Sequence, residues 1–191
     1  MRRSTLFAPV AVAVALLAAP VAGQNFSDGF TFLKGVRERD AATVQNLVST
    51  PNAAVLNYRD QSNGEGALHI LVRGRDLTWL AFLLARGARP DLQANDGTTP
   101  LIMAAQIGWG EGAHQLLSRG ANPNVANRNG ETPLIYAVRR RDLAMVRLLM
   151  SQRADPNLTD SLSGYSALDY ARQDPRAAMV LRELEQARPR N

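Results

Sequence analysis

The chain has 191 residues but contains no cysteine, only two histidines and a single lysine, Lys34. Without cysteine it has no disulfide framework, no thiolate metal site and no redox pair. It also lacks the metalloprotease H-E-x-x-H, the hydrolase G-x-S-x-G, the P-loop and a calcium loop with aspartate at the first ligand position. We therefore expect no catalytic residues, no metal and no cofactor.

The sequence also has no apolar run long enough to cross a membrane. Residues 6–19 are apolar, whereas a membrane-spanning helix needs about 20 such residues. Arginines precede this run and small residues follow it, as in a signal peptide. We predict a signal peptide over residues 1–23, cleaved after Gly23 or alternatively after Ala22. The mature chain, residues 24–191, is then expected to be periplasmic or secreted, without membrane insertion.

Positive charge is present but modest. The net charge is +5, and removing the predicted signal peptide takes away Arg2 and Arg3 and no acid. Arginine supplies almost all of the basic residues along the chain, so a local cluster of arginines is weak evidence for a binding site. We expect no nucleic-acid partner, because this net charge is mild for a protein that binds nucleic acid and because an exported protein rarely meets nucleic acid.

Turn-forming pairs recur along the rest of the chain at spacings of 33, 33 and 34 residues. The pairs are Asn63-Gly64, Asp96-Gly97, Asn129-Gly130 and Ser163-Gly164. Each glycine is followed four residues later by a leucine, at Leu68, Leu101, Leu134 and Leu168. A fixed period in this range indicates stacked supersecondary units.

One unit, residues 129–157, can be interpreted locally. Its Asn-Gly pair favours a tight turn, and Pro133 suits the first turn of a helix, where a missing N–H costs nothing. Leu134 begins an apolar stripe at helical spacing, and Asp142 is placed to cap a second helix. The unit is therefore predicted to be a turn, a helix, a second turn, a second helix and a return loop.

The segments "GTTPLIMAAQIG…LLSRGANPN" (97–124) and "GETPLIYAVRRRD…LLMSQRADPN" (130–157) resemble the ankyrin repeat. Residues 64–91 form a looser copy that lacks the Thr-Pro pair. The resemblance implies an all-α solenoid of about five helix-turn-helix units, in which the first and last are degenerate caps. The units are expected at about residues 28–60, 61–93, 94–126, 127–160 and 161–187. The resemblance also implies that the inner helices and projecting turns form a concave surface that binds other proteins.

Several residues are assigned structural roles within these units. Pro100 and Pro133 are expected to begin inner helices, and Leu101 and Leu134 to be buried between neighbouring units. His69 occupies the family's Leu-His position, which implies a bond to a neighbouring loop. The aspartates that are expected to cap second helices are Asp40, Asp76 and Asp142.

The three aspartates end a recurring V-R-x-R-D motif, at residues 36–40, 72–76 and 138–142. The first arginines of the motif are Arg37, Arg73 and Arg139, and Gln106 takes this position in the third unit. Two interpretations remain open: the arginines stabilise the end of the first helix, or they form a column on the concave side. A column of this kind, with Arg140 beside it, would favour a partner with an acidic surface.

The third unit departs from the others at "GWGEG", residues 108–112, which replaces the capped start of the second helix. We expect Trp109 to be partly exposed, either as a binding residue or packed against the next unit. Trp79, by contrast, lies in an apolar helical stripe and is expected in the core.

The sequence therefore favours a monomeric, exported, non-catalytic protein that binds another protein through its concave surface. It does not distinguish between assisting, protecting or inhibiting an envelope protein. A structural scaffold or oligomer and a secreted host-directed factor remain alternatives, because a fold does not determine a function.

Overall fold

A computed structural model describes residues 21–49 and 54–186 of the chain. Within these ranges the chain forms ten α-helices arranged as five consecutive antiparallel pairs. The predicted all-α stack of helix pairs is confirmed. Most of the predicted signal peptide lies outside the described residues, and the predicted cleavage point after Gly23 falls within the first helix.

The helices form two layers. The first helices of the pairs are α1 (Val21–Glu38), α3 (Ala67–Arg73), α5 (Pro100–Ile107), α7 (Pro133–Arg139) and α9 (Ala167–Gln173). The second helices, which form the outer layer, are α2 (Ala41–Leu47), α4 (Leu77–Ala85), α6 (Gly110–Ser118), α8 (Leu143–Ser151) and α10 (Ala178–Gln186). Successive first helices contact one another from α1 to α9, and successive second helices do so from α4 to α10.

The first helices form the inner layer of the stack, and two of them, α5 and α7, begin with a threonine cap and a proline. Thr99 and Thr132 accept hydrogen bonds from the Ile102 and Ile135 amides at 3.1 and 3.3 Å. Pro100 and Pro133 follow as the first helical residues, where no amide hydrogen is required. The next residues of these helices, Leu101 and Leu134, are completely buried between neighbouring units.

A tight hairpin precedes each of the inner helices α3, α5, α7 and α9. We number these hairpins two to five, and they span residues 60–66, 94–99, 127–132 and 160–166. A ladder of hydrogen bonds joins successive hairpins: the Asn95, Arg128 and Ser161 amides donate to the Asn63, Asp96 and Asn129 carbonyls at 2.8, 2.9 and 2.7 Å. The hairpins therefore form a continuous row along one edge of the stack.

Candidate functional site

The exposed side of the inner helices and the row of hairpins form one surface, which we call the inner face. Two columns of side chains run along it, one residue from each unit. The first column contains Lys34, Ile70, Met103, Tyr136 and Tyr170. The second contains Arg37, Arg73, Gln106, Arg139 and Gln173.

Each arginine of the second column contacts a carboxylate. The Arg37 guanidinium lies 2.6 Å from Asp60, and that of Arg139 lies 2.7 Å from Glu131. Arg73 donates two hydrogen bonds to the carboxylate of Glu65. The arginines remain about half exposed, but their charge is compensated. The column, which is one of the two interpretations of these arginines, therefore consists of ion pairs, whose acids lie in the hairpins, eight or more residues away in sequence.

Hydrogen bonds favour the charged form of two of these carboxylates, Asp60 and Glu131. The pKa of Asp60 falls to about 2 because Ser62 and then Arg37 donate hydrogen bonds to it. Burial by itself raises the pKa of Glu131, but hydrogen bonds from Tyr136 and Asn127 and the charge of Arg139 bring it below its usual value. The inner face thus presents alternating positive and negative groups.

In the third unit both members of the arginine–carboxylate pair are replaced. Thr98 replaces the hairpin acid and Gln106 replaces the arginine. The two shorter side chains leave a recess beside Arg73 and Glu65, with the thioether of Met103 in its wall. This recess could accept a side chain of a bound protein.

The fourth and fifth units place two tyrosines beside the last arginine of the column. The Arg139 guanidinium lies 5.9 Å from the ring centre of Tyr136 and 5.7 Å from that of Tyr170. The Tyr136 hydroxyl donates to Glu131 at 2.5 Å, and the Tyr170 hydroxyl donates to Asp160 at 2.7 Å. Tyrosine and arginine are enriched among residues that dominate binding energy, so this cluster is well suited to protein recognition.

The second arginine of the V-R-x-R-D motif has a role that the sequence did not reveal. Arg39, Arg75 and Arg141 adopt left-handed backbone angles, with φ of 62°, 50° and 57°. Their side chains reach the following unit, where they contact Asp76 at 2.8 Å, the Ile107 carbonyl at 2.7 Å and Asp174 at 2.9 Å. The signal in the sequence is Gly108, the residue of the third unit at this position, since glycine favours the left-handed region.

The aspartates of the motif lie at the starts of the second helices. Asp40, Asp76 and Asp142 accept hydrogen bonds from the amides three residues later, at 3.1, 3.0 and 3.0 Å. Arg140 directly follows helix α7 as its C-cap, and its guanidinium lies over Gly108 of the preceding unit, 2.7 Å from where a β-carbon would stand. The residues of the motif therefore have separate roles. The first arginine lies on the inner face, the second arginine contacts the following unit, and the aspartate caps a helix.

The exposures of the two tryptophans are the opposite of those predicted. Trp109 is only 4% exposed, so the prediction of partial exposure is wrong. Its indole lies over Gly112, one turn later in α6, where any β-carbon would overlap the ring. Trp79 is half-buried rather than in the core, and it lines an apolar groove between α2 and α4 with Val44 and Phe82.

His69 joins two neighbouring hairpins. Its Nδ1 accepts a hydrogen bond from the Gly66 amide at 3.2 Å, and its Nε2 lies 3.0 Å from the Thr98 carbonyl. Because a carbonyl can only accept, Nε2 carries the proton and the ring is neutral. Burial lowers the pKa of His69, which favours the same neutral form.

The part of the chain that the structure describes has no cluster of three or more acidic or histidine side chains placed to hold a metal ion. Nor does any helix in those residues have the length and apolar character needed to cross a membrane. The inner face, with its paired charges, recess and tyrosines, is the surface with the most features that suit binding.

A comparison with known families bears on this surface. The family model described as ankyrin repeats matches the chain in three overlapping copies, over residues 32–127, 68–160 and 108–183. Together these matches extend from α1 to α10 and include every hairpin.

Proposed function

Because the chain belongs to the ankyrin-repeat family, we propose that it binds a protein partner through its inner face and catalyses no reaction. Ankyrin repeats are generally protein–protein interaction modules. The observation that supports this face in particular is the Arg139 cluster, where a half-exposed guanidinium lies over two tyrosine rings. We propose that the cluster and the recess beside Gln106 together form the centre of the interface.

The partner's charge follows from the pairing of the arginines. The sequence favoured a partner with an acidic surface. Since Arg37, Arg73 and Arg139 already face carboxylates, we propose a partner that carries both signs of charge around an apolar centre. Acidic groups of the partner would reach the exposed side of the guanidinium groups, and basic groups would reach the hairpin acids.

We further propose that the chain acts outside the cytoplasm as a monomer, for example on an envelope protein that it assists, protects or inhibits. The support is the basic start, the short apolar run over residues 6–19 and the small residues after it. Intact-mass analysis of the protein from cells should show a chain that begins at Gln24, or one residue earlier. A retained Met1 in the membrane pellet would contradict the proposal.

The binding proposal can be tested by site-specific crosslinking. A photoreactive residue at Gln106 places the reactive group in the recess of the inner face, and one at His114 places it on the exposed outer helix α6. With the mature chain in an extract of exported proteins, we expect a discrete crosslinked product from position 106 and none from position 114. Products from position 114 alone would place the interface elsewhere.

A further inference from the structure

The fifth hairpin, residues 160–166, ends the row of hairpins and carries unusual side chains. Leu162 at its tip is 81% exposed, and Leu158 and Tyr165, within four residues of it in sequence, are also exposed. These three are half of the six large apolar residues that are exposed in the described part of the chain. Apolar side chains grouped at the surface mark interaction sites more often than isolated ones.

The second hairpin shows that the turn itself does not require the leucine. Both hairpins begin with an aspartate whose Oδ1 accepts a hydrogen bond two residues later: from the Ser62 amide to Asp60 at 3.0 Å, and from the Leu162 amide to Asp160 at 2.9 Å. The glycine at each tip has nearly the same φ, 74° at Gly64 and 70° at Gly164. Serine therefore supports the same turn at the position that leucine occupies in the fifth hairpin.

The fifth hairpin also leaves the ladder open. In hairpins three and four the space above the tip glycine is filled by a backbone amide of the next hairpin. A β-carbon on Gly97 would lie 2.7 Å from the Arg128 nitrogen, and one on Gly130 would lie 2.9 Å from the Ser161 nitrogen. A β-carbon on Gly164 would meet no described atom within 4 Å. The carbonyl of Ser163, which corresponds to the acceptors at Asn63, Asp96 and Asn129, accepts no backbone hydrogen bond from the described residues.

The open end is held in shape before anything binds. Burial by itself raises the pKa of Asp160, but hydrogen bonds from the Ser163 amide and the Tyr170 and Ser163 hydroxyls lower it to about 2. The Asp160 carboxylate thus holds the turn in one conformation through these hydrogen bonds. An interface that is already ordered loses less conformational freedom on binding.

We propose that this end of the ladder is a second binding site, which accepts an extended or turn segment of a partner protein. The segment would donate a backbone N–H to the Ser163 carbonyl, pass over Gly164 as the next hairpin does in the inner units, and pack an apolar side chain on Leu162 and Tyr165. Strand addition of this kind combines main-chain hydrogen bonds with side-chain pockets. The site lies at the end of the stack and adjoins the inner face, because the Tyr165 ring packs edge-to-face on Tyr170 with ring centres 5.7 Å apart. Leu162 belongs to neither column of the inner face, so variants of Leu162 test this site separately.

A displayed library of short random peptides is the probe for this site. Peptides are selected on the mature chain and compared on Leu162→Ser, which copies the second hairpin, and on Leu162→Gln as a second polar variant. We expect peptides with an apolar residue whose affinity falls about tenfold or more in both variants, as for an interface anchor. Slowed hydrogen exchange at one peptide amide is the expected sign of the ladder bond.

Two controls separate this site from others. Leu162→Ser should unfold at the same urea concentration as the parent, and peptides selected at the tip should bind the Arg37/Arg73/Arg139→Gln variant normally. Peptides that bind Leu162→Ser as tightly as the parent, or a selection that returns none dependent on Leu162, would overturn the inference. Concentration-dependent association of the parent that Leu162→Ser abolishes would assign the surface to a second copy of the chain and overturn it as well.

Discussion

At the scale of single residues, Arg141 and Arg153 share a strained backbone but differ in what their side chains reach. Their φ angles are 57° and 64°, a region that costs a non-glycine residue about 1 kcal/mol or more. Arg141 bonds to Asp174 of the next unit. Arg153 lies where two other units have Gly87 and Gly120, and its guanidinium has no carboxylate partner within the described ranges.

Replacing these arginines by glycine should therefore have different effects. We expect Arg153→Gly to raise the free energy of unfolding by about 0.5–1 kcal/mol, since only strain is removed. Arg141→Gly should gain less or lose stability, because the bond between units is lost with the strain. Urea unfolding of both variants measures the difference, and equal gains would show that the bond to Asp174 contributes nothing.

The packing of Trp109 gives a second comparison. Gly112→Ala places a methyl group inside the indole ring's space and should lower the free energy of unfolding by about 1–3 kcal/mol through overpacking. Gly110→Ala, on the open side of α6 where no atom lies within 4 Å, should cost nothing or add up to about 1 kcal/mol. Trp109→Leu should partly relieve the Gly112→Ala penalty. Matching urea midpoints for the two alanine variants would contradict the buried position of the indole.

At the scale of elements, His69 couples helix α3 to the third hairpin through its neutral ring. In the unfolded chain a histidine has a pKa of about 6.5. In the folded chain, burial lowers the pKa of His69. Below that pH the unfolded state binds more protons than the folded state, so the stability that His69 contributes is complete above about pH 6.5 and is lost as pH falls.

The free energy of unfolding should therefore decrease between pH 7 and pH 5, with a slope of up to about 1.4 kcal/mol per pH unit. The carboxyl groups of Asp60, Asp160 and Asp174, with pKa values of about 2, contribute their losses only at lower pH. In His69→Gln the decrease in the free energy of unfolding over pH 5–7 should be much smaller than in the parent. An unchanged slope would show that His69 does not titrate as its burial requires.

The elements were predictable because local chemistry determines them. The proline at the first helical position, the aspartate caps and the glycine turns each act within a few residues, so the helix pairs follow from the sequence. The partners of Arg37, Arg73 and Arg139 were not predictable, because the hairpin acids meet them only after the units stack. The exposures of Trp109 and Trp79 were predicted the wrong way round for a related reason. Helical periodicity does not show that Gly112 leaves room for the Trp109 indole.

At the scale of the whole molecule, the stack gives each unit contacts with its neighbours, so a defect should spread. Leu134 is completely buried between units, and Leu134→Ala should cost about 2–5 kcal/mol and weaken adjacent units as well. Urea melts followed by hydrogen exchange would show loss of protection in α5 and α9. A melt that overlays the parent would mean that the inner helices do not pack through this residue.

The surface of the stack, unlike its core, should tolerate neutral substitutions. Gln106 already occupies the arginine column in the third unit, so Arg37/Arg73/Arg139→Gln should still fold. At Arg73 and Arg139 we expect a loss greater than that typical of one exposed ion pair, about 0.2–1 kcal/mol, because the side chains of Glu65 and Glu131 are only 11% and 12% exposed. Charge reversal to glutamate is less suitable, because it would place like charges beside Asp60, Glu65 and Glu131.

The most direct test of the inner face is a calorimetric titration of the crosslinked partner, once purified, against two matched variants. One is Arg37/Arg73/Arg139→Gln. The other is Arg119/Arg147/Arg182→Gln, which removes the same charge from exposed residues in or directly after the outer helices and also breaks one ion pair, between Arg147 and Glu183. We predict that the inner-face variant binds at least about tenfold more weakly, as expected when an interface loses an arginine anchor, while the outer-face variant binds like the parent. Equal affinity for both variants, or a loss confined to the outer-face variant, would contradict the claim that the inner face is the binding surface.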